Sequence, residues 1–139
     1  MKRTVKRTLS IFFILLLVLV CCFSVLAEGI EPRWIELSTF SCRLDKQSSL
    51  FSNVKLSSYA SSWNNDNTIS LTVTIQKWNG SSYVNTSNSW SNSGKGVASV
   101  EKNIKLSAGN YIAHAVVTVY DGNGSYVETV TKDSAEIII

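Results

Sequence analysis

One histidine, one proline and three cysteines in 139 residues limit what this chain can do. A lone His114 cannot build a histidine-rich zinc site, and any nucleophilic triad would have to use it. It falls in mid-strand among apolar residues, the setting of a sheet histidine satisfied by its neighbours. Cys21 and Cys22 lie in the N-terminal apolar run, which leaves Cys42 alone in the remainder. An internal disulfide or a thiolate metal cluster is thereby excluded there. Arg43 is the cation nearest to Cys42, but successive strand residues point to opposite faces, so Cys42 reads as a small buried apolar residue rather than a reactive thiol. Acidic residues are few and dispersed, with no motif of paired carboxylates for glycoside hydrolysis. Asp121, Asn123, Ser125 and Glu128 resemble the start of a calcium loop. Tyr126 stands where that loop needs glycine and the glutamate comes four residues early, so Asp121-Gly-Asn-Gly124 reads as a hairpin turn. No catalytic residue, metal ligand or cofactor is assigned, and the chain reads as a non-enzyme.

What is present begins with an export signature. Lys2, Arg3, Lys6 and Arg7 form a positive region, the apolar run Ile11 to Leu26 follows, and Ala27 offers a small residue for cleavage. The run is shorter than the ~20 residues that span a bilayer, and Val20 before Cys21 is too large for lipidation chemistry. Residues 1–27 are therefore expected to be a cleaved signal peptide, and 28–139 a secreted domain without stable membrane insertion. Removing 27 of 139 residues leaves 112, enough for one domain with a core of its own. Four of the 13 basic residues leave with the signal, so nine face ten acids and the net charge becomes −1. A nucleic-acid partner is not indicated by that balance.

The remainder alternates. Thr68 to Trp78 places Ile69, Leu71, Val73 and Ile75 on one face and Ser70, Thr72, Thr74, Gln76 and Trp78 on the other, as a strand with one wet side does. Asn79-Gly80 is hairpin chemistry, with a connection of two to four residues before a returning strand Tyr83 to Trp90. Tyr111 to Tyr120 reads as a central strand burying Tyr111, Ala113, Ala115, Val117 and Val119, and its alanines imply close approach of an opposing layer. Trp34 to Leu44 alternates ambiguously, which suits an edge strand whose register slips at a bulge. Val54 and Leu56 belong to a strand over Phe51 to Tyr59, and Val97 to Leu106 forms another, in which Lys102 interrupts the apolar stripe and marks an edge or a bulge. Ser91 to Gly96 reads as a turn, Ser125 to Lys132 and Glu136 to Ile139 as final strands. Tyr111 stands where a sandwich-corner tyrosine would bond backbone across the turn. Strand-like runs at this spacing predict an all-β fold: one antiparallel β-sandwich, immunoglobulin- or fibronectin-like, of seven or eight strands.

Aromatic residues supply the functional candidates. Trp63, Trp78 and Trp90 lie near the ends of strand segments, and Trp78 and Tyr120 occupy the outward phase of their strands. Trp78, Tyr83, Trp90 and Tyr120 are taken as candidate ligand-binding residues, since flat aromatic rings stack on sugar faces and anchor protein contacts. The same rings could instead cap the ends of the core.

The series Pro32-Arg-Trp34, Gln76-Lys-Trp-Asn-Gly80, Ser89-Trp-Ser-Asn-Ser-Gly-Lys-Gly96, Gly109-Asn-Tyr111 and Val127-Glu-Thr-Val-Thr131 resembles a family of short secreted proteins of unknown function from clostridia-like Gram-positive bacteria. The resemblance implies an exported β-sandwich and carries over no catalytic residue. Two roles follow for an extracellular domain of this kind. One is a binding module for a glycan or protein ligand at the cell surface; the other is an assembly protein that pairs through an exposed edge strand, with Ile137 to Ile139 the segment suited to it.

Overall fold

Period-two patterning becomes eight antiparallel strands in the computed structural model, which describes residues 34–47 and 53–139. The expected signal peptide and the start proposed for the second strand, Phe51 and Ser52, lie outside the described residues. In chain order the strands are β1 (Leu37–Lys46), β2 (Asn53–Ser62), β3 (Thr68–Trp78), β4 (Tyr83–Lys95), β5 (Val97–Lys105), β6 (Asn110–Tyr120), β7 (Tyr126–Asp133) and β8 (Ile137–Ile138). One sheet has the order β1-β2-β5; the other has β4-β3-β6-β7, with β8 beside β7 on the same side of β6. No helix occurs among the described residues. A three-stranded sheet faces a five-stranded one across the core, in the manner of a fibronectin-like sandwich.

The core forms where the inward phases of β3 and β6 run side by side. Ile69, Leu71, Val73 and Ile75 pair with Val119, Val117, Ala115 and Ala113, and all eight are fully buried. Each large aliphatic residue withdrawn from water contributes roughly 1.5–3 kcal/mol, so this double stripe is the main hydrophobic support of the fold. Phe40, Leu44, Val54, Leu56, Ala60 and Val100 close it from the opposite sheet. The alanines of β6 permit the close approach that their size implies: the Cys42 thiol of β1 lies 3.5 Å from the Ala113 carbonyl oxygen, to which it donates. Burial pushes that thiol up to about 11, with nearby Asp133 adding to the shift, so it stays protonated at neutral pH.

Three pairings slip register, and two of the slips set the phase of a flanking strand; the third, between Thr74 and Gln76 of β3, adds two residues to β4 and leaves its phase unchanged. In β1, Leu37 pairs with Ser62 and Thr39 with Ser61, leaving Ser38 extra, and this slip puts both Leu37 and Phe40 in the core. In β7, Tyr126 pairs with Tyr120 but Glu128 with Val119, leaving Val127 extra. The second slip turns Glu128 from the outer to the inner phase.

One expected turn is absent. Ser91 to Lys95 continues β4, paired with β3 as far as Lys95 opposite Thr68, and the chain crosses to the other sheet at Gly96. The crossing needs glycine twice over: Gly96 has φ of 70°, and a Cβ there would sit 3.0 Å from the side-chain oxygen of Asn65. Its N–H donates to the Asn67 carbonyl at 2.7 Å, and its carbonyl accepts from Ser62 N–H at 2.9 Å. Tyr111 is buried as expected, but its hydroxyl pairs with the Ser107 hydroxyl at 2.9 Å rather than with backbone.

Candidate ligand-binding surface

The outward phase of the β4-β3-β6-β7 sheet is a field of short polar side chains, and it largely satisfies itself. The Thr72 and Ser91 hydroxyls pair at 2.8 Å, as do those of Thr74 and Ser89, and Thr118 pairs with Thr129 at 3.1 Å. Gln76 Nε2 donates to Asn85 Oδ1 at 2.9 Å. In the same face His114 Nδ1 lies 2.5 Å from Asp133 Oδ1, half-exposed, with no hydroxyl bonded to its other nitrogen among the described residues. The pair is therefore a cross-strand contact of a flat face, without the nucleophile contact that a triad needs.

Aromatic residues stand at the end of this field where β3 turns into β4. The Asn79–Ser82 loop is built by Asn79, whose side-chain oxygen accepts from Ser81 N–H at 2.9 Å and Ser82 N–H at 3.0 Å, with Gly80 at φ of 103°. It brings Trp78 opposite Tyr83, ring centroids 5.2 Å apart and planes tilted by 58°. Trp78 keeps 41% of its surface exposed, whereas the aliphatic residues alternating with it are fully buried.

A carboxylate is held beside this pair. Ser134 N–H donates to the Ala113 carbonyl and Ser134 Oγ accepts from Ala113 N–H, both at 2.9 Å, while Gly109 and Ile139 exchange two backbone hydrogen bonds. Between these fixed points the chain arches past Ile112, which is buried although it lies in the outward phase. Glu136 on the arch accepts from the Tyr83 hydroxyl with one oxygen and from Asn110 Nδ2, at 3.1 Å, with the other. The bond to Glu136 holds the Tyr83 hydroxyl in its neutral form and pushes it up to about 12. Ile138, paired with Asn110 and exposed, completes a surface of Trp78, Tyr83 and Ile138 around one oriented carboxylate.

The four candidate residues divide among three places. Trp78 and Tyr83 meet. Tyr120 shares their outer face but pairs with Thr68 and Tyr126, ten residues along β3 from Trp78, or roughly 33 Å at strand rise. Trp90 pairs with Val73, belongs to the inner phase and packs against the core at the margin of the sandwich. Trp63, by contrast, is exposed in the loop after β2. The fifth tyrosine, Tyr126, is exposed opposite Tyr120 and was missed, although the short Asp121–Ser125 connection places it one hairpin away. Glu136 and Asn110 carry no signal in the sequence, because the arch that joins them is a product of tertiary pairing.

Asp121 and Glu128 part company. The Asp121 side-chain oxygen accepts from Asn123 N–H and Ser125 N–H, at 2.9 and 2.8 Å, and so closes the β6–β7 turn. Glu128 is buried on the inner face, accepting from the N–H groups of Ile35, Glu36 and Leu37 at 3.1, 2.8 and 2.9 Å. No family model, curated protein or solved structure matches the chain.

Proposed function

We propose that the chain is an exported, non-catalytic binding module that engages a glycan at the cell surface through Trp78 and Tyr83. The observation that carries this reading is the exposed Trp78–Tyr83 pair with Glu136 fixed beside it. Sugar rings present apolar C–H faces and a rim of hydroxyls, and this surface offers an aromatic plane with an acceptor oriented at its border. The positive and apolar segments of residues 1–27 support the export part of the proposal.

The test is a pull-down of the chain lacking residues 1–27 on insoluble polysaccharides, parent against Trp78→Ala. Retention is expected to be lost, while stability in denaturant falls by less than the ~3–5 kcal/mol typical of a core aromatic. A variant that unfolds, or one retained like the parent, would defeat the reading. Assembly through an exposed edge strand is the competing role, and sizing of the same sample distinguishes it. Ile137 to Ile139 directs one side to β6, through Ile137 opposite Tyr111 and the Ile139–Gly109 hydrogen bonds, so that side is unavailable to a second chain.

A further inference from the structure

The sandwich has two lateral margins, and each presents a lysine in the inner phase of its strand. Lys132 of β7 pairs with Ala115, and its ammonium group reaches across to donate to the Phe40 carbonyl of β1 at 3.1 Å. Lys102 of β5 pairs with the fully buried Leu56. Its side chain emerges at the opposite margin, where β4 and β5 separate after their crossing at Gly96. No carboxylate forms an ion pair with Lys102 among the described residues: its neighbour Glu101 points to the opposite face of β5, where it lies 3.8 Å from Lys55.

Here the margin stays open. A groove of about 460 Å³ runs between β4 and β5, lined by Trp90, Asn92, Ser99, Val100, Glu101 and Lys102 among others. Its inner end is apolar: Val100 is buried, and Trp90 packs one side against the core while remaining half-exposed. Its rim is polar, and Asn92 Nδ2 bridges it by donating to the Ser99 carbonyl at 2.8 Å. The indole of Trp90, the amide of Asn92 and the ammonium group of Lys102 thus converge on one concavity from the inner phases of β4 and β5, while the Ser89 and Ser91 hydroxyls are engaged on the outer face and Glu101 stands at the outer rim.

We infer that the β4–β5 groove is a second binding site, specific for saccharides that carry a carboxylate, with Trp90 stacking on a sugar ring and Lys102 pairing with the acid. This site is separate from the Trp78–Tyr83 surface and does not depend on the reading given to it. An inward-pointing lysine also keeps an edge strand from pairing with another chain. That role alone does not call for an adjoining groove floored by tryptophan, and the Lys132 margin has the lysine with its gap bridged.

Titration of the chain lacking residues 1–27 with an oligomer of a hexuronic acid, and with a neutral hexose oligomer of equal length, tests the inference. It is followed by NMR of the backbone amides and the four indole N–H groups. The acidic oligomer is expected to shift Trp90 and Ser99 to Lys102. It should bind at least about tenfold more tightly than the neutral one at low salt, an advantage that salt removes. Lys102→Gln, an exposed substitution that leaves the core intact, should abolish the preference. Equal affinity for both oligomers, an unchanged preference in Lys102→Gln, or shifts confined to Trp78 and Tyr83 would overturn it. The last result would leave the outer-face site standing, whereas loss of polysaccharide retention in Trp78→Ala leaves the groove untouched.

Discussion

At the β1–β7 margin, side chains span the gap: Glu128 accepts three backbone N–H groups from the segment leading into β1, and Lys132 donates to Phe40. At the β4–β5 margin the gap is joined by chain continuity through Gly96, and past that corner, among the described residues, by one hydrogen bond from Asn92 to Ser99. Where strands from the two sheets are consecutive in sequence, the covalent chain supplies the junction and the side chains are free for other work. Where the strands come from distant parts of the sequence, charged side chains must make the junction, and the groove that the other margin keeps is filled.

This contrast is sharpened first by Glu128→Ala. Three N–H groups lose a charged acceptor, and hydrogen bonds to charged groups contribute about 1.5–3 kcal/mol each without adding fully, so a loss of roughly 3–5 kcal/mol is expected. Denaturant unfolding measures it, and hydrogen exchange at residues 35–37 should accelerate together; a loss below about 1 kcal/mol would mean that packing alone closes the margin. Lys132→Met removes one exposed donor while keeping the stem, with an expected cost of about 1 kcal/mol by the same measurement. Asn92→Ala, at the margin held by the chain itself, should stay within about 0.5 kcal/mol of the parent. If Asn92→Ala cost as much as Glu128→Ala, the two margins would not differ in the way described.

The sequence made the centre legible because its signal there is local. Alternation in Thr68 to Ile75 and Tyr111 to Val119 depends only on which neighbours are apolar, and both strands are buried in the expected phase. The ambiguous pattern of Trp34 to Leu44 pointed to an edge strand with a bulge, and β1 is such a strand. Ser91 to Lys95 was less readable. Serine, asparagine and glycine favour turns, yet here they form the wet end of an edge strand whose partner β3 supplies the pairing. Glu128 was beyond local reading because it faces inward only through its cross-strand register, a tertiary property that one extra residue reverses. Trp90 was within reach of it: it lies seven positions after Tyr83, so alternation alone puts the two in opposite phases. Trp78 and Tyr120 show the remaining limit: phase gave their common face, but only the antiparallel pairing of β3 with β6 puts them at opposite ends of it.

The Glu128 bonds also fix an order of events in synthesis. The carboxylate is separated from the N–H groups it receives by 91 to 93 residues, so the segment before β1 leaves the ribosome long before its acceptor exists. At roughly 5–20 residues per second that interval is on the order of 5–20 s. Throughout it Leu37 and Phe40 have no completed core to enter, although β2, the sheet partner of β1, follows within about 25 residues. What stays open until β7 has been made is therefore the margin of the sandwich and the apolar side of β1, rather than the ladder between β1 and β2.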